Sequence, residues 1–198
     1  MVKTLSNMQE LGSSMPHFEL PGVGDYNKLI TADFDKQSEA YLIMFLCNHC
    51  PFVIHIQTSL AKICADFMAR KVGVIGINAN DIERFPEDRP EKMAVFATEN
   101  NFSFPYLFDE SQEVAKAFGA ACTPDFFLYD KQKKLVYRGQ MDDSRPGNSK
   151  ENNGKDLQDA VNRVLAGEQT LGTQHPSMGC NIKWKPGNEP KYFLSSLK

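Results

Sequence analysis

The sequence is poor in the features that mark membrane, nucleic-acid-binding and secreted proteins. No apolar run approaches the roughly 20 residues of a membrane-spanning helix, and residues 1–10 contain no apolar core of signal-peptide length. Lys and Arg number 22 and Asp and Glu 25, for a net charge of −3, and the basic residues nowhere cluster densely enough to follow a phosphate backbone. We therefore expect a soluble, cytoplasmic protein with no nucleic-acid partner and no membrane partner.

Cysteine is scarce as well, with five in 198 residues. An odd number argues against a framework of structural disulfides, and in a reducing compartment thiols serve catalysis or metal binding more than cross-linking. With 41% hydrophobic residues the chain can bury a substantial core, most simply as a single domain over residues 1–198. The placement of the few thiols is therefore the first guide to function.

Two of the cysteines stand between two predicted elements. Residues 41–46 form a continuous apolar run of strand length, which is typical of a strand buried on both faces of a sheet. Apolar residues then recur at steps of three and four, which predicts an amphipathic helix from Pro51 to about residue 70. Cys47 and Cys50 lie at this strand-to-helix junction, two residues apart.

The rest of the chain predicts a mixed α/β sheet with helices on both faces. A second apolar run at 72–78 should form a strand parallel to the first, and the loop 78–81 should leave the same edge of the sheet as the two cysteines. Hairpin-like strands are expected within residues 1–40, and residues 168–198 are expected to form an irregular tail. The other predicted elements are strands at 104–109, 126–129 and 134–138, helices at 93–97, 111–118 (capped by Ser111) and 157–165, and an exposed loop at 142–154.

A Cys-x-x-Cys pair at the start of a helix has a specific chemistry. Unpaired N–H groups and the positive end of the helix dipole favour a thiolate at Cys47, and Cys50 can reach back to it. A thiolate that attacks a disulfide forms a mixed disulfide, which the second thiol resolves, so the pair transfers two electrons with no metal or nucleotide cofactor. His49 adds a titratable positive charge beside the thiolate.

A zinc site is the competing interpretation of the same pair. Such a site usually needs two cysteine pairs, and Cys180 with His175 could complete one if the tail folds back. The position at a strand-to-helix junction favours the redox interpretation, so we predict no metal.

The Cys47–Cys50 pair after a buried strand, together with Thr123-Pro124 before a later strand, resembles the thioredoxin-like superfamily. More narrowly, the chain is similar to the peroxiredoxin-like branch of the AhpC/TSA (thiol-specific antioxidant) family, which residues 11–20 and 125–130 match. The likeness extends from about Leu11 to Trp184. It implies a thioredoxin-like fold with an N-terminal strand extension and a C-terminal tail.

The resemblance also implies roles for the threonine-proline pair. In the family this proline is cis and lies against the two cysteines, where the neighbouring backbone pairs with a substrate strand. We therefore expect Thr123 and Pro124 to form a substrate-docking edge.

Three cysteines remain. Cys64 falls on the apolar face of its helix and is expected in the core. Cys122 should lie near Cys47, either as a third redox thiol or, as we prefer, as a small buried residue. For Cys180 we hypothesise that its segment folds over the active site and that its thiol forms a disulfide with Cys47, as resolving cysteines do in related peroxidases.

Two departures from the family patterns limit the prediction. Thioredoxins have a buried carboxylate six residues before the first cysteine, where this chain has Tyr41, so the usual proton acceptor is missing unless Asp81 replaces it. A peroxidatic cysteine aligned with Cys50 would need Thr or Ser three residues earlier, where this chain has Cys47.

We therefore predict a thiol–disulfide oxidoreductase that acts on a protein or small-molecule disulfide or thiol, with a separate electron donor. An atypical thiol peroxidase and a non-enzymatic zinc- or partner-binding protein are the alternatives.

Overall fold

A computed structural model describes residues 3–169 and 172–195 of the chain. The strands are β1 (Lys3–Leu5), β2 (Glu19–Pro21), β3 (Leu29–Thr31), β4 (Ala40–Phe45), β5 (Val72–Asn78), β6 (Tyr106–Phe108), β7 (Cys122–Thr123), β8 (Asp125–Asp130), β9 (Leu135–Gly139) and β10 (Met178–Asn181). The helices are α1 (Pro51–Ala69), α2 (Pro90–Glu99), α3 (Glu113–Phe118), α4 (Lys155–Leu165) and α5 (Lys191–Ser195). No helix in the described part of the chain is long and apolar enough to cross a membrane.

The central sheet is mixed, as the sequence predicts. Its strand order is β6-β5-β4-β8-β9. Strands β4, β5 and β6 run parallel, whereas β8 pairs antiparallel with both β4 and β9. The β4-α1-β5 unit therefore forms with the parallel pairing expected from the two apolar runs and the helical pattern between them; β5 has the expected bounds, and β4 begins and ends one residue earlier than expected.

Both faces of the sheet are covered, and β4 shows this residue by residue. Leu42 and Met44 pack into the core beneath α1, α2 and α4. Tyr41, Ile43 and Phe45 alternate with them and pack into a second core, which includes α3 and the β2-β3 hairpin. Helices therefore flank the sheet on both sides, and the fold is thioredoxin-like.

The tail differs most from its sequence-based description. Residues 168–198 were expected to be irregular, but β10 and α5 form there; residues 170–171 and 196–198 lie outside the described part of the chain. Strand β10 pairs antiparallel with β1 on one side and with β7 on the other. These are pairings between distant parts of the sequence, which local patterns do not reveal.

Two smaller predictions were also wrong. Ser111 is not the N-cap of α3, because Gln112 takes that position in a left-handed conformation with φ 66. The loop 142–154 is not exposed throughout, because Asp142 and Ser144 are buried. The Asp142 carboxylate accepts backbone hydrogen bonds from Ser144 at 2.9 Å and from Gly154 at 2.6 Å, which holds the two ends of the loop together.

Candidate active site

The two cysteines of the Cys-x-x-Cys motif lie between β4 and α1. Cys50 is the N-cap of α1, with an extended backbone, and its carbonyl oxygen accepts hydrogen bonds from Val53 and Ile54, each at 2.9 Å. Pro51 fills the first helical position, where no N–H is needed. Cys47 is 1% exposed and Cys50 is fully buried, and both are free thiols.

The segment before β8 lies directly against both thiols. The Thr123-Pro124 peptide bond is cis, which confirms the prediction for this bond. The Thr123 hydroxyl oxygen lies 3.2 Å from the Cys47 Sγ atom, and the Thr123 carbonyl oxygen lies 3.1 Å from the Cys50 Sγ atom. One residue therefore contacts both members of the pair.

A third thiol completes the cluster. The Sγ atom of Cys180, on β10, lies 2.9 Å from the Sγ atom of Cys50. The tail therefore does fold over the cysteine pair, and Cys180 contacts the thiol of Cys50, whereas the sequence-based hypothesis named Cys47 as its disulfide partner.

The three thiols divide into one acidic and two weakly acidic groups. Hydrogen bonds from the Cys180 and Cys47 thiols lower the pKa of Cys50, and they outweigh the burial that raises it. Burial raises the pKa of Cys47, and its contact with Cys50 adds to the rise, whereas the Thr123 hydroxyl lowers it. The contact with Cys50 also raises the pKa of Cys180.

We assign the first proton lost from this cluster to Cys50, because the central thiolate can accept an S–H bond from each neighbour. In the fully protonated cluster the Cys50 S–H instead donates to the Thr123 carbonyl oxygen. The partial negative charge of that carbonyl oxygen repels a thiolate at Cys50. The S–H bonds that Cys47 and Cys180 donate to the thiolate must therefore offset this repulsion.

A buried carboxylate lies on the other side of the motif. The Asp88 Oδ2 atom lies 2.9 Å from His49 Nδ1, and the backbone N–H of Asn48 donates to Asp88 Oδ1 at 2.8 Å. The Asp88 carboxylate raises the pKa of His49. The charge of His49 in turn interacts favourably with the Cys50 thiolate.

Asp88 stays ionised because four groups point at it. Burial raises its pKa, but the ion pair with His49 and hydrogen bonds from the Asn48 backbone and the Asn80 side chain outweigh that effect and leave the pKa lowered. The Asn80 and Asn78 side-chain amides donate to the carboxylate at 2.8 and 3.0 Å. The loop after β5 therefore reaches the same edge of the sheet as the cysteines, as its position after a parallel strand predicts.

The comparisons with known proteins agree with this geometry. The model of the AhpC/TSA family matches residues 11–138, which is more than half of the chain. The chain belongs to the AhpC/TSA family.

Several solved structures share the fold of this chain. An uncharacterized conserved protein from Geobacillus kaustophilus is 48% identical, with a TM-score of 0.91, over 94% of this chain and 98% of that one. A hypothetical protein from Sinorhizobium meliloti 1021 is also 48% identical, with a TM-score of 0.90, over 93% of this chain and all of that one, at 100%. The thioredoxin domain of a thiol-disulfide oxidoreductase from Bacteroides vulgatus shares the fold at 16% identity, with a TM-score of 0.58 over 77% of this chain and 99% of that one. No curated protein matches the sequence.

Sequence reasoning missed Asp88 in this AhpC/TSA protein. It named Asp81 as a possible replacement for the thioredoxin carboxylate but favoured a surface position for it; Asp81 is buried, and its carboxylate accepts the backbone N–H of Glu83 at 3.1 Å. A carboxylate oxygen of Asp88 lies within 4.8 Å of the sulfur of Cys47. Asp88 stands in a polar loop with prolines on either side, and nothing in that pattern distinguishes it from a surface residue.

The remaining cysteines of this AhpC/TSA protein are buried. Cys64 packs in the core, with its sulfur 4.0 Å from that of Met44. Cys122 is fully buried, its thiol faces the Pro124 carbonyl oxygen at 3.6 Å, and burial raises its pKa. These surroundings favour a packing role for both residues.

One group of potential metal ligands occurs among the described residues at the site. It consists of Cys47, His49 and Asp88, whose ligand atoms all lie within 4.8 Å of one another. It includes neither Cys50 nor Cys180, and His175 lines a separate cavity with Tyr137 and Asp156. The carboxylate of this group is already used by amide and imidazole donors, so the arrangement fits the fixing of a histidine better than the binding of a metal.

Proposed function

We propose that this protein is a thiol–disulfide oxidoreductase that cycles Cys47 and Cys50 between a dithiol and a disulfide. The observation that carries the proposal is the contact of both thiols with Thr123, beside the cis bond to Pro124, at the N-terminus of α1. Membership of the AhpC/TSA family and the fold shared with a thiol-disulfide oxidoreductase support it.

The reaction needs no cofactor. A thiolate attacks one sulfur of a substrate disulfide and forms a mixed disulfide, and the first substrate sulfur leaves as a thiolate. The second cysteine then attacks the mixed disulfide, which releases the other substrate thiol and leaves the Cys47–Cys50 disulfide. An external thiol donor reduces that disulfide in the reverse sequence of steps. The substrate is a protein or small-molecule disulfide in this direction, or a thiol in the reverse direction, and the electron donor is a separate thiol.

The contacts support Cys50 as the attacking thiolate, whereas the sequence alone predicts Cys47 in that role. Cys50 receives hydrogen bonds from two thiols, lies at the N-cap of α1 and interacts with His49. Cys47 lies beside the Thr123 hydroxyl, which can donate to it when it leaves as a thiolate.

Trapping of the mixed disulfide tests the proposal and the roles together. Cys180→Ser is used as the background, so that one resolving thiol remains. Three replacements are made one at a time in this background: Cys47→Ser, Cys50→Ser and, as a matched control in the core, Cys64→Ser. Each protein is incubated with a peptide disulfide and analysed by intact mass.

We expect the adduct to accumulate when Cys47 is replaced, because attack by Cys50 then has no resolving partner. Accumulation when Cys50 is replaced would assign the attack to Cys47 and still support exchange. If neither variant forms the adduct and the wild-type protein reduces no disulfide, the proposed function is wrong.

Peroxide reduction has less support as the main activity. A peroxidatic thiolate needs a neighbouring Thr or Ser hydroxyl. The Thr123 hydroxyl contacts Cys47, whose pKa is raised, rather than Cys50, whose pKa is lowered. A cytoplasmic location stays a prediction from the sequence.

A further inference from the structure

Strand β10 occupies the edge that a substrate strand is expected to use. It lies antiparallel to β7, with Cys180 opposite Thr123 and Asn181 opposite Cys122. Addition of an extended segment to an exposed strand is a common mode of peptide recognition. Here the added strand comes from the same chain, and it carries a cysteine.

The close approach of the two strands depends on a glycine. A Cβ atom at Gly179 would lie 2.1 Å from the Thr123 carbonyl oxygen, a distance that no real contact allows. Any larger residue at this position would push β10 away from the segment that contacts both catalytic thiols. The glycine therefore allows Cys180 to approach Cys50.

The chain on either side of β10 is held in place. On one side, Ser177 accepts a backbone hydrogen bond from Ser6 at 2.9 Å and donates its own N–H to the Ser6 hydroxyl at 2.9 Å. On the other side, the Lys183 N–H donates to the Asn80 side chain at 2.8 Å, in the loop that also surrounds Asp88. The position of Cys180 is thus fixed from both ends.

The sulfur atoms of Cys180 and Cys50 are in direct contact at 2.9 Å, and both side chains are buried. A thiol at this distance from a disulfide sulfur is placed for exchange, since the attacking and attacked atoms already touch.

We propose that Cys180 is a third redox thiol and that its strand acts as an internal substrate of the Cys47–Cys50 pair, an inference that rests on the proposed function. The Cys180 thiolate attacks the Cys50 sulfur of the Cys47–Cys50 disulfide. A Cys50–Cys180 disulfide forms, the Cys47–Cys50 bond breaks, and Cys47 leaves as a thiolate. The proton lost by Cys180 balances the one that Cys47 gains, and no outside oxidant is consumed.

Two consequences follow for substrates. The Thr123 hydroxyl, 3.2 Å from Cys47, can donate to the departing thiolate and so favours this direction of exchange. An external protein substrate must displace β10 before it can pair with β7, so strand Met178–Asn181 competes with substrate for one edge.

Disulfide mapping across a series of glutathione redox buffers tests the inference. The full-length protein is equilibrated at each potential, quenched with acid, alkylated and digested, and each linkage is quantified by mass spectrometry. The variants are Cys180→Ser, Cys47→Ser, and Cys64→Ser as a buried thiol outside the site. We expect both Cys47–Cys50 and Cys50–Cys180 linkages in the wild-type and Cys64→Ser proteins, and the Cys50–Cys180 linkage alone in Cys47→Ser.

A second pair of variants separates the role of the strand from that of the thiol. Gly179→Ala should lower the fraction of Cys50–Cys180 linkage at least tenfold, whereas Asn181→Ala on the same strand should leave it within about twofold. Far-ultraviolet circular dichroism and thermal melts of the reduced proteins confirm that each variant folds.

The outcomes distinguish the two proposals. If Cys47 and Cys50 form a reversible disulfide while Cys180 stays alkylated at every potential, the inference is wrong and the proposed function stands. If neither Cys47 nor Cys50 forms a reversible bond to any partner, the proposed function fails, and the inference fails with it.

Discussion

Replacement of Asp88 by Asn should destabilise the loop that supports His49. The carboxylate receives three hydrogen-bond donors and an ion pair with His49 in the wild-type protein. The Asn48 backbone and the Asn78 amide lie 2.8 and 3.0 Å from Oδ1, and the Asn80 amide and His49 lie 2.8 and 2.9 Å from Oδ2. An asparagine keeps one acceptor oxygen and turns an NH₂ group towards the groups that face the other oxygen.

The size of the effect follows from these contacts. Asp88 is fully buried, so water cannot replace the lost acceptor. Each buried donor that loses its partner costs about 1–3 kcal/mol, and an NH₂ group at the Oδ2 position leaves the Asn80 amide without its acceptor, so the free energy of unfolding should fall by at least about 1–3 kcal/mol. Urea unfolding of the reduced protein measures this loss directly.

The pH dependence gives a sharper test. The pKa of Asp88 is lowered in the folded state, so its contribution is present above its unfolded pKa of about 3.9 and is lost as pH falls through the folded value. The pKa of His49 is raised, so its contribution is present below about 6.5 and is lost as pH rises through the folded value. The stability difference between the wild-type protein and Asp88→Asn should therefore be largest between about pH 4 and pH 6.5.

A matched control is available close by. Asp81→Asn changes another buried aspartate of this region. The Asp81 carboxylate accepts a hydrogen bond from the Glu83 N–H, and the side-chain oxygen of an asparagine can accept the same bond. We expect it to change stability by about 0.5 kcal/mol or less. In Asp88→Asn, the pKa of His49 measured by NMR should fall. Wild-type stability together with an unchanged His49 pKa would refute the electrostatic role given to Asp88.

Three further predictions concern the thiols and the core. Thr123→Val removes the hydroxyl that lowers the pKa of Cys47, so alkylation of Cys47 should shift to higher pH, as followed by peptide mapping; an unchanged profile would contradict the hydrogen bond. Hydrogen peroxide should oxidise Cys50 at about the rate of free cysteine in stopped-flow measurements, and a much faster reaction would establish the peroxidase alternative. Leu60→Ala, at a fully buried position of α1, should lower the free energy of unfolding by about 2–5 kcal/mol in urea, and a smaller loss would mean that the core closes around the cavity.

The β4-α1-β5 unit could be predicted from the sequence because its signals are local and long. The apolar run at 41–46 has the length of a strand, and the helical pattern that begins at Pro51 continues for five turns. A cysteine pair between two such elements can occupy few other places, so its position at the start of α1 followed from the pattern alone.

The carboxylate and the partner of Cys180 could not be predicted, for a different reason. Asp88 reaches the site through the fold of an irregular loop, and its role depends on donors from Asn78 and Asn80, which no periodic pattern indicates. Strand β10 has four residues, one of them a glycine, and its partners β1 and β7 lie far away in the sequence. Which sulfur faces Cys180 depends on the register of that pairing.

The sheet β1-β10-β7 makes the completeness of the three-thiol cluster depend on two distant parts of the described chain, since Lys3 pairs with Cys180. Contacts across so large a sequence separation close a very long loop and are entropically expensive to form. During synthesis, the cysteine pair and its helix are complete long before residue 180 is made, so the newly made site stays uncovered for most of translation. In the finished protein the same contacts should be among the first to open, so amide hydrogen exchange should be faster in β10 than in β4 or β5.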